Sequence, residues 1–284
     1  MTWSGVHTAL ITPFSGGEVD LSSYRTLCER QLDHGVQGLV ACGTTGETPT
    51  LLEREWCDLV RATVEIAAGR IPVTAGVGTN CTATSLHRIA LAREVGADAG
   101  LLVLPYYNKP PPDGLRAHVR ACAAAGLPLI VYHVPGRTGQ RVTPELLAEL
   151  SDTPGVVAIK EATGDLAYAN TLLRLATVPV LSGDDGTFFP LVALGGAGVI
   201  SVVSDLAPAA TVALWRAAAA GDLARAQELQ ARLLPVIDWL FHTTSPLPAK
   251  AALAAAGLCR NELRLPLVPL TAAVPEFVRA MVEA

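Results

Sequence analysis

Short apolar runs recur along this chain at intervals of roughly 25 to 30 residues, the spacing of strands that alternate with helices. They occupy positions 6–11, 38–42, 72–77, 100–104, 127–132, 155–160, 178–182 and 198–202. Each is too short for a helix and apolar at successive positions, as a strand buried on both faces requires. The stretches between them repeat their apolar residues every three or four positions. Over 52–68, for example, Trp56, Leu59, Val60, Val64 and Ala67 share one helical face. Gly35, Gly69, Gly96 and Gly126 fall where such helices end and a left-handed cap is needed.

Eight such units predict an α/β fold, a (β/α)8 TIM barrel spanning residues 1–205. An open doubly wound sheet is the competing architecture, but it usually carries a glycine-rich phosphate turn after its first strand. Here the first strand runs into Thr12-Pro13-Phe14, with Gly16-Gly17 in a loop. After residue 205 the pattern turns wholly helical, over 209–241, 248–256 and 274–282. It predicts a helical region, 206–284, packed on the barrel.

Half of the residues are hydrophobic and 17% are charged, the balance of a compact, ordered chain. A net charge of −5 argues against a broad electrostatic footprint for nucleic acid or an anionic membrane. No basic-then-apolar leader is visible, and no run of about 18 apolar residues is available to span a bilayer. A cytoplasmic location is the expectation. Cys28, Cys42, Cys57, Cys81, Cys122 and Cys259 are scattered, without Cys-x-x-Cys or paired-histidine spacing. Reduced thiols are expected, and neither a disulfide frame nor a zinc site.

Barrel enzymes build their chemistry at the carboxyl ends of the strands. The sixth strand ends at Lys160, one of three lysines; Lys109 and Lys250 lie in proline-rich stretches read as turns. Burial favours the neutral amine, the form that attacks a ketone to give a Schiff base. Taken alone, a strand-end lysine more often snorkels to solvent or pairs with a carboxylate. Its neighbours therefore decide. The second strand ends in Gly43-Thr44-Thr45-Gly46-Glu47, where glycines admit close backbone approach and the hydroxyls and amides suit a small carboxylate. The same turn would equally cap the next helix.

The fourth strand ends in Pro105-Tyr106-Tyr107-Asn108, and the fifth in Tyr132-His133-Val134-Pro135-Gly136-Arg137-Thr138-Gly139. Tyrosines at such places are commonly packing residues, whereas the planar fork of Arg137 is suited to clamp a carboxylate. His133 follows Tyr132 and so points the other way, which makes it a packing residue. Ser182-Gly183-Asp184-Asp185-Gly186 reads as a loop and helix cap, not a metal site. Together, a lysine, tyrosines, hydroxyls and an arginine on one barrel face suit imine chemistry on a small keto acid. The imine serves as an electron sink while tyrosine hydroxyls move protons.

These blocks, with Ile159-Lys160-Glu161-Ala162-Thr163-Gly164, appear in an order that resembles the dihydrodipicolinate synthase family of class I pyruvate-dependent lyases over essentially the whole chain. The resemblance implies that Lys160 is the Schiff-base lysine for pyruvate and Tyr132 the proton donor and acceptor. It also implies that Thr44 relays protons between Tyr132 and Tyr107, and that Tyr107 reaches in from a neighbouring subunit. Thr45 and the backbone at Ile200 would hold pyruvate, and Arg137 would receive the carboxylate of aspartate semialdehyde. A homotetramer of tight dimers is implied, with small-molecule substrates, no metal and no cofactor.

Sialic-acid lyases and sugar-acid aldolases share the lysine, the tyrosine and a similar turn. A related pyruvate-dependent aldolase acting on another aldehyde is therefore the alternative. Arg137 separates the branches, because a short aldehyde bearing a carboxylate needs a cation at the mouth and a polyol aldehyde needs hydroxyl partners. A barrel that binds a small acid without turnover is a more distant alternative, since it needs no proton relay. His133 and Ser245 stand where the resemblance leads one to expect asparagines. Lysine-sensitive members use histidines and an acid where this chain has Glu53, Trp56 and Thr84, although Asn80 and Tyr106 are retained. Turnover is accordingly expected to resist millimolar lysine, and strong inhibition in such a titration would refute the expectation.

Overall fold

The structure, a computed structural model, describes residues 3–283. Eight parallel strands close into a barrel: β1 (Gly5–Ala9), β2 (Gly38–Ala41), β3 (Val73–Gly76), β4 (Ala99–Val103), β5 (Leu129–His133), β6 (Val156–Glu161), β7 (Val180–Ser182) and β8 (Gly198–Ser201). The barrel predicted from the apolar runs is present. Its seam is the β8–β1 ladder, from Gly5 opposite Gly198 to Thr8 opposite Ser201. A side chain at Gly198 would put its Cβ 2.1 Å from the Gly5 carbonyl oxygen, so the seam closes only with glycine there.

Both faces of the strands are apolar, which conceals their alternation in the sequence. Val40, Leu101, Ile130, Tyr132, Ala158, Leu181 and Ile200 pack inside the barrel. Leu39, Leu102, Val131, Ile159 and Val199 pack outward beneath the helices. The helix Glu53–Ala67 turns Trp56, Leu59, Val60 and Ala67 inward, as its period predicts, with Val64 half-buried. The four helix-closing glycines have φ between 72 and 89°.

The register that matters for function lies between β5 and β6, where Tyr132 is opposite Lys160 and His133 opposite Glu161. Opposed residues of parallel neighbours project to the same side, so Tyr132 and Lys160 both enter the barrel and His133 leaves it.

Beyond β8 the structure corrects three expectations. The predicted helix over 209–241 is two helices, Pro208–Ala219 and Leu223–Phe241. Gly221 turns left-handed between them, and the Asp222 carboxylate accepts the Arg225 amide to start the second. The chain is also irregular over 256–275, where Pro266, Pro269 and Pro275 remove backbone donors. Leu247–Ala255 and Glu276–Glu283 complete the helices. A hairpin missed in the sequence pairs Phe14–Ser15 with Glu18–Val19. Lys250 is no turn residue: it lies in the helix Leu247–Ala255 and is completely buried. Among the described residues, no helix is long and apolar enough to cross a membrane.

Candidate active site

At the carboxyl end of the barrel a cavity of about 190 Å³ is walled by Thr44, Thr45, Tyr132, Arg137 and Lys160, with Gly183 and Asp184 beside them. Five of the seven residues singled out from the sequence are therefore brought together. Lys160 is 6% exposed, and its Nζ sits 4.2 Å from the centroid of the Tyr132 ring. Burial pushes its pKa down to about 7; Arg137 pushes the same way, and the buried Asp185 carboxylate opposes them. Desolvation is the main cause, so the lysine is half neutral near neutral pH without a dedicated cationic partner. Room for its stem comes from Gly183, where a Cβ would lie 2.8 Å from Lys160 Cε and 2.7 Å from Ala162 Cβ.

Burial pushes the Tyr132 phenol up to about 12, against the pull of Arg137 and of a hydrogen bond with the Thr44 side chain. A phenol kept protonated beside a partly neutral amine can give a proton to a developing alkoxide and take one back. The turn after β2 is self-closed: the Glu47 amide donates to the Thr44 carbonyl at 3.1 Å, and the Thr12 hydroxyl donates to the Gly46 carbonyl at 2.7 Å. Within the described residues the Thr44 and Thr45 amides make no hydrogen bond, so both donors remain for an anion. Arg137 is exposed on the one-turn helix Pro135–Thr138, and its Nη2 donates to the Ser245 carbonyl at 3.4 Å.

Two residues stand apart from this group. Tyr107 is 87% exposed, has φ +71° and does not line the cavity of its own chain. Ile200 is buried in the barrel interior, and Val202 forms the wall at that strand end. His133 is fully buried on the outer side, its ring 5.8 Å from that of Tyr168, and burial drives its pKa down to about 4. It is a packing residue. Trp56 is likewise interior, its indole donating to the Gly76 carbonyl at 3.2 Å, while Glu53 pairs with His87 at 2.7 Å.

The acidic loop after β7 divides its work. Asp184 Oδ1 accepts the Gly186 and Thr187 amides, the capping role expected of it. Asp185 Oδ1 accepts the Ser201 hydroxyl at 2.6 Å, and its Oδ2 accepts the Val202 and Val203 amides, so it holds the end of β8. Among the described residues, no cluster of three His, Cys, Asp or Glu side chains is placed to hold a metal ion. Sequence reasoning missed Phe241 and Asp185 as neighbours of the site. Phe241 comes from the C-terminal helices and carries no local signal; Asp185 was legible only as a loop acid. Ser245, noted only as a departure, also lines the cavity.

Residues 2–284 match the Dihydrodipicolinate synthetase family. The 4-hydroxy-tetrahydrodipicolinate synthase of Thermomicrobium roseum is 47% identical over 279 residues, covering 97% of this chain and 92% of that protein. The crystal structure of dihydrodipicolinate synthase from Thermotoga maritima superposes with a TM-score of 0.93 at 42% identity, covering 100% of this chain and 97% of that one. The chloride-inhibited dihydrodipicolinate synthase of Acinetobacter baumannii, solved in complex with pyruvate, superposes with a TM-score of 0.93 at 38% identity, covering 99% and 97% of the two chains.

Proposed function

The chain belongs to the dihydrodipicolinate synthetase family, and from that premise we propose how its cavity carries out the reaction and in what assembly. The enzyme is a Schiff-base-forming lyase that condenses pyruvate with L-aspartate 4-semialdehyde in lysine and diaminopimelate biosynthesis. The observation that carries the proposed residue roles is the buried Lys160 amine against the Tyr132 ring, at the mouth of a barrel whose Thr44 and Thr45 amides have no partner among the described residues.

The pyruvate carboxylate sits on the Thr44–Thr45 turn and at the Ile200 backbone. Neutral Lys160 attacks the ketone carbon. Tyr132 protonates the departing oxygen, which leaves as water, and an imine results. The Tyr132 phenolate left by that step takes a proton from the methyl group, the imine accepts the released electron pair, and the enamine carbon attacks the aldehyde. Tyr132 and Thr44 supply the proton to that second oxygen. The amine of the aldehyde substrate then attacks the imine carbon, which closes the ring and frees Lys160. Arg137 holds the carboxylate of the aldehyde substrate at the mouth.

Reduction with borohydride in the presence of pyruvate tests this reading. The intact protein should gain the mass of a reduced pyruvyl adduct at Lys160, and a protein that gains none would overturn the imine. Arg137→Met should raise the KM for aspartate semialdehyde about 10- to 100-fold, the worth of a charge-assisted carboxylate contact. Half-saturation of trapping by pyruvate should stay near the parental value. An unchanged aldehyde KM would remove Arg137 from substrate recognition.

The assembly proposed is a homotetramer of tight dimers in which Tyr107 completes the proton relay of a neighbouring subunit. Its exposure and left-handed backbone support the reading, because a tyrosine presented that way has no task in its own cavity. Tyr107→Phe should lower kcat about 10- to 100-fold. A sedimenting monomer with full activity at assay concentration would exclude the shared site.

A further inference from the structure

We propose that the buried Glu47–Lys250 ion pair is a positioning device, which sets the Thr44–Thr45 turn for the carboxylate of the keto acid and ties that turn to the C-terminal segment walling the cavity. The inference rests on the reading of that turn as the carboxylate cradle. Glu47 is the last residue of the turn and holds a left-handed φ of +53°. Its amide bonds back to the Thr44 carbonyl at 3.1 Å, so movement of Glu47 is passed to the Thr44–Thr45 turn, and its carbonyl accepts the Thr50 amide at 3.0 Å, which fixes it to the turn that follows.

The side chains of Glu47 and Lys250 are both without solvent exposure. One carboxylate oxygen of Glu47 meets Lys250 Nζ, and the other accepts the Arg264 amide at 3.2 Å. Lys250 Nζ also donates to the Glu262 carbonyl at 2.8 Å and lies 4.1 Å from the centroid of the Phe14 ring. Its helix, Leu247–Ala255, begins just after Ser245, which lines the cavity and accepts from Arg137.

Two charges taken wholly out of water add little net stability, and well-packed apolar groups of similar size commonly do as well. An ion pair, however, fixes the distance and direction between two elements, and apolar contact does so less sharply. The position of this pair, one end in the cradle and the other behind the wall, is what gives that geometry a use in catalysis.

The test compares the full-length parent with Glu47→Asp and with the double variant Glu47→Gln/Lys250→Met, by borohydride trapping across a range of pyruvate concentrations. The double variant removes both charges and so leaves no lone buried ion. Both variants should reach full trapping at saturating pyruvate and keep kcat within about threefold, while half-saturation rises about tenfold through displacement of the turn. A purely structural pair would lower the melting temperature and leave half-saturation unchanged, which would overturn the proposal. Should the double variant not fold, Glu47→Asp decides, since it keeps the charge on an arm one methylene shorter. A parent that is not trapped at all would instead overturn the Schiff-base reading on which the proposal stands.

Discussion

Replacing Lys160 by methionine is expected to abolish borohydride-trapped pyruvate and to lower turnover by at least about a thousandfold, the scale on which enzymes lose activity with their nucleophile. The same substitution should stabilise the protein. With an ordinary value of 10.5 brought down to about 7, the folded lysine holds its proton less tightly than the unfolded one. Below pH 7 both states are charged, and folding carries the whole cost of burying the ammonium, on the order of a few kcal/mol. Between pH 7 and 10.5 the unfolded chain still binds the proton and the folded one does not, so parental stability rises with pH. Above 10.5 the contribution vanishes. The melting-temperature gain of Lys160→Met should therefore be largest in mild acid and shrink as pH rises through this window. A gain independent of pH would mean that the charge on Lys160 is not its source. In the parent, the neutral fraction predicts trapping at limiting pyruvate about tenfold faster at pH 8 than at pH 6.

Tyr132→Phe is expected to lower kcat by about 100- to 10,000-fold, the range over which positioned proton donors act. It removes the hydroxyl and keeps the ring, so the packing against Lys160 Nζ at 4.2 Å and the folded structure should persist. Trapping should still reach completion with pyruvate, but slowly, because water departs without its proton donor. Equal trapping rates in variant and parent would place the proton transfer elsewhere. The buried phenol, pushed up to about 12, also predicts that no loss of activity from Tyr132 ionisation appears below strongly alkaline pH.

The strands were legible because burial on both faces leaves a local trace that needs no partner to be read. Their register was not. Tyr132 and Lys160 are each unremarkable in isolation, one a strand tyrosine and the other a strand-end lysine. They become a reactive pair because β5 and β6 align them across a parallel ladder. Helix ends were legible at Gly69 and Gly126 through glycine. The break at Gly221 was hidden by the alanines around it, which suit a continuous helix as well as an interrupted one.

Lys250 shows the limit most clearly. Proline-rich surroundings suggest an exposed turn, yet Pro246 and Pro248 lie at a helix start, where a missing amide costs nothing, and the lysine faces inward to Glu47. The sequence by itself determined the order of strands and helices, the chemistry available at the strand ends and the family, since these depend on residue type and short-range period. The tertiary structure alone decided that Arg264 would meet Glu47 across 217 positions and that Arg137 would meet Ser245 across 108. It decided as well that Phe241 would wall the cavity and that Lys160 would titrate near 7. Such contacts arise from closure of the barrel, and a pKa reports the desolvation of a site by everything packed around it, so neither is encoded in any local stretch of the chain.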